Sequence, residues 1–209
     1  MQDKSLRHRN IRRYASYMII VMASLHTPNV WAAPFGLAMG MSLEELSAYA
    51  PKPVSKQPHV YRIETAPRHS SNFDHYLLRI DPQHGLCVIN AVSKDMRVTP
   101  TGDTVRQSYT NLKAQLTNKY GEPAIDIDQL VAGSLWAAPQ QWMRSLFFRQ
   151  RSLTAIWSAE TAPLVSNIAD IALTARAKTI SIANLSLTYE YTNLDNCKLT
   201  EQRANLAAL

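Results

Sequence analysis

Apolar and polar residues alternate along several stretches of this chain, the period-two signature of strands with one buried face. In residues 75–80, Tyr76, Leu78 and Ile80 fall on one side and Arg79 on the other. After the turn segment Asp81-Pro82-Gln83-His84-Gly85, residues 86–92 are nearly all apolar, as a central strand should be. The two stretches predict a hairpin. Residues 59–65 alternate through Tyr61 and Ile63, residues 152–158 through Leu153, Ala155 and Trp157, and residues 171–176 through Ile171, Leu173 and Ala175. The longest alternating run is 179–192. Its inward set shifts phase from Ile180 and Ile182 to Leu185, Leu187, Tyr189 and Tyr191, which predicts a bulge near Ala183-Asn184.

Three other stretches carry helix signals. In Met41-Ser42-Leu43-Glu44-Glu45-Leu46, Ser42 can cap the first turn while Glu45 reaches back to the cap amide, and Met41 can pack on Leu46. That helix must stop before Pro51-Lys52-Pro53, and residues 51–58 read as an extended linker. Thr101-Gly102-Asp103 opens a long helix with the apolar stripe Val105, Tyr109, Leu112, Leu116, Tyr120, closed by Gly121 and Pro123. Pro139 suits the first position of a helix over 140–150, where Trp142, Met143, Leu146 and Phe147 share a face.

Two stretches of the chain, about 40–95 and 101–193, therefore each read as a helix followed by three strands. The expected fold is α+β: two pseudo-repeated halves forming one antiparallel sheet with helices on one face, in a single domain over 33–196. Residues 197–209 read as a polar tail.

The first 32 residues have a different character. Lys4, Arg7, Arg9, Arg12 and Arg13 precede the uncharged run 17–25, and Val30-Trp31-Ala32 supplies residues suited to the −3 and −1 positions of a cut after Ala32. This is the pattern of a secretory signal peptide. Nine residues of helix span only about 13 Å, under half a bilayer core, so the run is too short for a membrane anchor. The expected location is the bacterial periplasm or the medium. Of the 22 basic and 16 acidic side chains, five and one lie in this leader, leaving 17 against 15. So balanced a charge gives no reason to expect nucleic acid as a partner, and no later stretch is apolar enough for stable membrane insertion.

The exported part retains both cysteines, Cys87 and Cys197, and in an oxidising compartment the expectation is a disulfide. Catalytic signatures are lacking: no Gly-x-Ser-x-Gly, His-Glu-x-x-His, Walker loop or Gly-x-Gly-x-x-Gly occurs. No cofactor is expected. The one polar cluster of note is 68–75, where His69, Asp74 and His75 are the candidates for a metal or for acid–base chemistry, with His59 and His84 nearby in sequence. Asp126 and Asp128, one residue apart, read as a solvated turn. Trp136, Trp142, Phe147 and Phe148 cluster with Arg144, Arg149 and Arg151, and Trp and Arg dominate interface hot spots. Trp136, Phe148, Arg149 and Arg151 are the candidates for partner binding, because a helix that buries Trp142 and Leu146 must turn Phe148 elsewhere.

Gly40-Met41-Ser42-Leu43-Glu44-Glu45-Leu46 and Leu116-Thr-Asn-Lys-Tyr-Gly121-Glu-Pro123 resemble the "G-x-S/T … L-x-x-x-x-G-x-P" punctuation of small bacterial envelope proteins. These include the outer-membrane-assembly lipoproteins of the SmpA type and the secreted β-lactamase-inhibitor proteins. The resemblance implies a two-layer α/β fold that works by contact with another envelope or secreted protein, without catalysis. The chain departs from the first group in having no lipidated cysteine, and its first half lacks the Gly-x-Pro stop. The expected function is that of an exported binding or accessory protein of the inhibitor, immunity or envelope-assembly type. The alternatives are an envelope-directed hydrolase using the His69–His84 region and a subunit of a secretion or conjugation apparatus.

Overall fold

The alternating stretches pair into one antiparallel sheet in the computed structural model, which describes residues 33–207; the expected leader, residues 1–32, lies outside the described residues. In chain order the strands are β1 (Lys52–Pro53), β2 (Val60–Ile63), β3 (Phe73–Asp81), β4 (Gly85–Ser93), β5 (Met96–Arg97), β6 (Ile125–Leu130), β7 (Arg151–Ser158), β8 (Ile168–Ala177) and β9 (Ile182–Tyr191). The helices are α1 (Asp103–Tyr120), α2 (Trp142–Phe147) and α3 (Leu194–Ala207). Across the sheet the order is β1-β2-β3-β4-β9-β8-β7-β6, and β5 continues the ladder of β4 along β9. Two meanders, β2-β3-β4 and β7-β8-β9, thus meet through their last strands, with Ile89 opposite Tyr189 and Ala91 opposite Leu187.

The face carrying the predicted inward residues holds the core. Tyr76, Leu78, Ile80, Ala155, Trp157, Ile171, Leu173 and Leu187 are buried there, and α1 packs over β8 and β9 with Val105, Tyr109, Leu112 and Leu116 buried in turn. Gly102 precedes α1 at φ 70°, and a Cβ there would lie 2.3 Å from the Trp142 ring, so only glycine lets α2 close on the start of α1. Segment 33–41 also belongs to this core. Phe35 stacks edge-on against Phe73, Tyr76 and Tyr189, Leu37 is fully buried, and the Tyr191 hydroxyl donates to the Leu37 carbonyl.

Several expectations are corrected. The capping box at Ser42 forms, with the Ser42 amide donating to Glu45 Oε2 (2.7 Å) and the Glu45 amide to Ser42 Oγ (3.2 Å). The expected helix is nevertheless only turns and a 3-10 segment, Ser47–Tyr49, because Ala50 turns left-handed at φ 45° just before Pro51. So short a segment cannot repay helix nucleation. The first half accordingly lacks its helix. Residues 51–58 are not a plain linker, since β1 pairs with β2. No bulge interrupts β9 near Ala183: its register with β8 runs unbroken from Asp170–Glu190 to Ala177–Ala183. The phase change arises because Ile180 belongs to the exposed β8–β9 turn and Ala183 takes the inward place. Asp126 and Asp128 lie in strand β6, paired to β7, and form no loop.

The largest correction concerns residues 197–209 and the side on which helices lie. Residues 194–207 are helical, and α3 lies on the sheet face opposite α1. Arg79, which alternates away from buried Leu78 and Ile80, meets α3 through Glu201 (2.9 Å). The register between β3 and β4 steps from Arg79–Val88 to Ile80–Leu86, leaving Cys87 as an extra residue in β4. That bulge lets Leu86 enter the main core while Cys87 joins Leu194 and Cys197 in a separate buried cluster. Cys87 and Cys197 are disulfide-bonded, with Cα atoms 6.7 Å apart.

Burial of the tyrosines has a consequence at high pH. Burial pushes the hydroxyls of Tyr76, Tyr109, Tyr189 and Tyr191 above their usual pKa. The folded state therefore holds these protons more tightly than the unfolded chain. Stability is intact below the unfolded value near pH 10 and falls as pH rises from there through the folded values. Spectrophotometric titration at alkaline pH should show part of the tyrosinate signal arriving only with cooperative unfolding; independent titration of every tyrosine around pH 10 would contradict it.

Candidate partner-binding surface

At the end of β6 the chain enters a loop, 131–138, that runs to α2. The loop is held by few bonds: the Val131 amide donates to the Gln150 carbonyl (2.7 Å), Ser134 Oγ donates to the Gln150 side chain, and the Trp136 amide donates to Ser134 Oγ (3.2 Å). This geometry sets the Trp136 ring against that of Phe148, stacked at 5.6 Å and 15°. Phe147 meets Phe148 edge-on at 5.2 Å, and the Arg144 guanidinium lies 5.3 Å over the Trp136 ring.

The cluster is open to solvent. Phe148 is 51% exposed, Val131 57% and Leu135 83%, while Trp136 is half-buried. Phe147, expected on the core face, is 38% exposed, and the inward place on α2 goes to Ser145, which is fully buried. Ser145 can sit there because Oγ is satisfied twice, donating to the Trp142 carbonyl (2.7 Å) and accepting from Arg151 Nε (3.1 Å). The six-residue α2 thus buries Ser145 together with Trp142, Met143 and Leu146. Arg149 ends the helix in the left-handed conformation, φ 57°, its amide donating to Leu146 and that of Gln150 to Ser145. Arg149 is exposed and follows Phe148 directly in the chain.

Of the four candidates read from the sequence, Trp136 and Phe148 stack on each other, and Arg149 lines a neighbouring cleft with Phe147 and Arg151. Arg151 is bonded to Asp128 and Ser145, and its guanidinium lies 5.7 Å from the Trp142 ring, so it ties α2 to β6. Arg144 takes the cationic place beside Trp136. Leu135 and Val131 escaped sequence reasoning, since isolated apolar residues in a loop carry no periodic signal.

The histidine region is dispersed. Asp74 accepts from His75 Nδ1 (3.0 Å), which holds its carboxyl below the usual carboxylate range, and His69 reaches only the Tyr76 hydroxyl (3.4 Å). His84 lies beyond the far end of β3, in a cleft of about 510 Å³ shared with Glu44, Tyr61 and Asp81. From His75 to Asp81 is six residues of strand, roughly 20 Å. The Asp81 carboxylate is itself occupied by the amides of Gln83 and His84, both at 2.9 Å. His59 is near that same end, its carbonyl accepting from the Ile80 amide. His69, Asp74 and His75 thus do not converge with His59 and His84. Among the described residues no group of three or more His, Cys, Asp and Glu side chains is placed to hold a metal ion, and no helix there is long and apolar enough to cross a membrane.

No protein-family model, curated protein or solved structure matches the chain.

Proposed function

We propose that this is an exported binding protein of the bacterial envelope or medium, acting by contact with another protein through the patch of Leu135, Trp136, Phe147 and Phe148 beside Arg144 and Arg149. The observation that carries the reading is the exposure of these large side chains side by side. Water penalises contiguous apolar surface, and a chain that buries Trp142 and Leu146 on the same helix leaves such a patch open where a partner covers it. Aromatic and arginine side chains supply large contact area together with stacking and charge-assisted bonds, the chemistry of interface anchors. Arginines at the rim favour a partner that presents carboxylates around an apolar anchor. The leader pattern of residues 1–32 supports the exported location, as does the Cys87–Cys197 disulfide, a bond that persists in oxidising compartments. The same proposal takes the two meanders as halves of a helix-plus-sheet unit like that of the SmpA-type and β-lactamase-inhibitor proteins.

The test is capture of partners from periplasmic extract by the exported protein and by its Phe148→Ala variant, with affinities then measured on the purified pair. Phe148 lies outside the core, so the variant should melt with the parent. Its affinity should fall about 30-fold, the ~2 kcal/mol of an interface hot spot. Equal capture and equal affinity would remove the patch from the interface.

A further inference from the structure

The sheet ends in two unlike edges. β1 is two residues long and consists of Lys52 and Pro53, following Pro51. Proline has no N–H to donate and lysine resists an apolar neighbour, so this edge is closed to a further strand. β6 is six residues long, contains neither lysine nor proline, and pairs with β7 alone. Its outer side therefore offers a row of main-chain donors and acceptors to solvent.

The side chains of β6 suit an incoming strand. Asp126 and Asp128 lie on the α1 side, where they pair with Lys113 (2.7 Å) and Arg151 yet stay 46% and 41% exposed, so their charge still meets an incoming strand. On the other face Ile125, 45% exposed, and Ile127 lie with Ile156 of β7 as an apolar strip without a helix above it among the described residues. The strand then runs directly through Leu130 into Val131 and the aromatic patch.

We infer that β6 is completed by an extended segment of a partner protein, which adds as a further strand and carries an apolar side chain onto the Trp136–Phe148 patch. The inference rests on the proposed use of that patch. The segment's chemistry follows from the register: apolar or β-branched residues on the face of Ile125 and Ile127, basic or polar residues opposite Asp126 and Asp128. A second copy of this chain fits poorly. Any antiparallel register that pairs most of two β6 strands sets Asp126 or Asp128 against the same carboxylates of its mate, and like charges directly opposite oppose pairing.

Random linear peptides displayed on phage, panned on the exported protein, supply the probe. Enriched peptides should alternate apolar with basic or polar residues, slow hydrogen exchange at the amides of 125–130, and lose at least about tenfold in affinity on N-methylation at every second position only. Ile127→Lys should weaken them by a similar factor without changing the melt. Failure to enrich any peptide over an unrelated immobilised protein would overturn the inference. So would protection confined to 131–148, in which case the patch reading survives alone. Protection of 125–130 with binding indifferent to Phe148→Ala would leave strand addition standing and remove the patch. A concentration-dependent dimer abolished by Ile127→Lys would name a second copy as the occupant and overturn the assignment to a partner.

Discussion

Trp157→Ala is expected to destabilise the fold by about 3–5 kcal/mol, the cost of truncating a buried aromatic. Trp157 lies in β7 opposite Ile171 of β8, is 2% exposed, and donates its indole N–H to the Gly121 carbonyl at 2.7 Å. Removing the ring opens a cavity between the sheet and the end of α1, and strips that carbonyl of its donor. Trp157→Phe retains much of the volume but not the N–H, and should recover most of the loss. Denaturant melts followed by circular dichroism measure both. A Trp157→Ala protein that melts within a few tenths of a kcal/mol of the parent would show that this contact does not hold α1 to the sheet.

Loss of the disulfide is expected to act on a comparable scale, up to about 4–5 kcal/mol in the chain-entropy account for a closed loop of this length. The two cysteines are 110 residues apart in sequence, so the bridge removes many conformations from the unfolded chain. It has a local role as well. α3 is attached to the sheet by the bridge, by the contact of Leu194 and Val88 around it, and by the Arg79–Glu201 pair. That pair is partly buried, each side chain about a third exposed, and a single ion pair so placed contributes only about 1 kcal/mol by itself. Reduction, or Cys87→Ala with Cys197→Ala, should lower the melting temperature and release the amides of 194–207 to exchange before those of β4 and β9. Unchanged melting would mean that α3 is held by other contacts.

The patch was partly legible in the sequence. Trp136 and Arg149 stood out as members of an aromatic and basic cluster, and Phe148 because a helix cannot bury it on one face with Trp142 and Leu146. The stacking of Trp136 on Phe148 was not legible, since a loop sets it. The assignment of Arg151 to Asp128 and Ser145 was equally hidden, because it depends on β6 lying beside β7. β6 itself was missed: the alternation in Ile125-Asp126-Ile127-Asp128 is weak evidence when neither face is fully buried.

What the sequence alone determined is which side of each element faces the core. In β3, β7 and β8 the alternation named the buried residues correctly, and in α1 the stripe did so through Leu116, because period and burial are local consequences of backbone geometry. Tertiary structure decided which strands are neighbours, that β4 lies against β9, and that α3 crosses the other face. Alternation is blind to these choices, since a strand with one apolar face can pair beside any other. The place of a polar helix such as α3 depends on a disulfide and on a bulge at Cys87, neither of which a periodic pattern encodes.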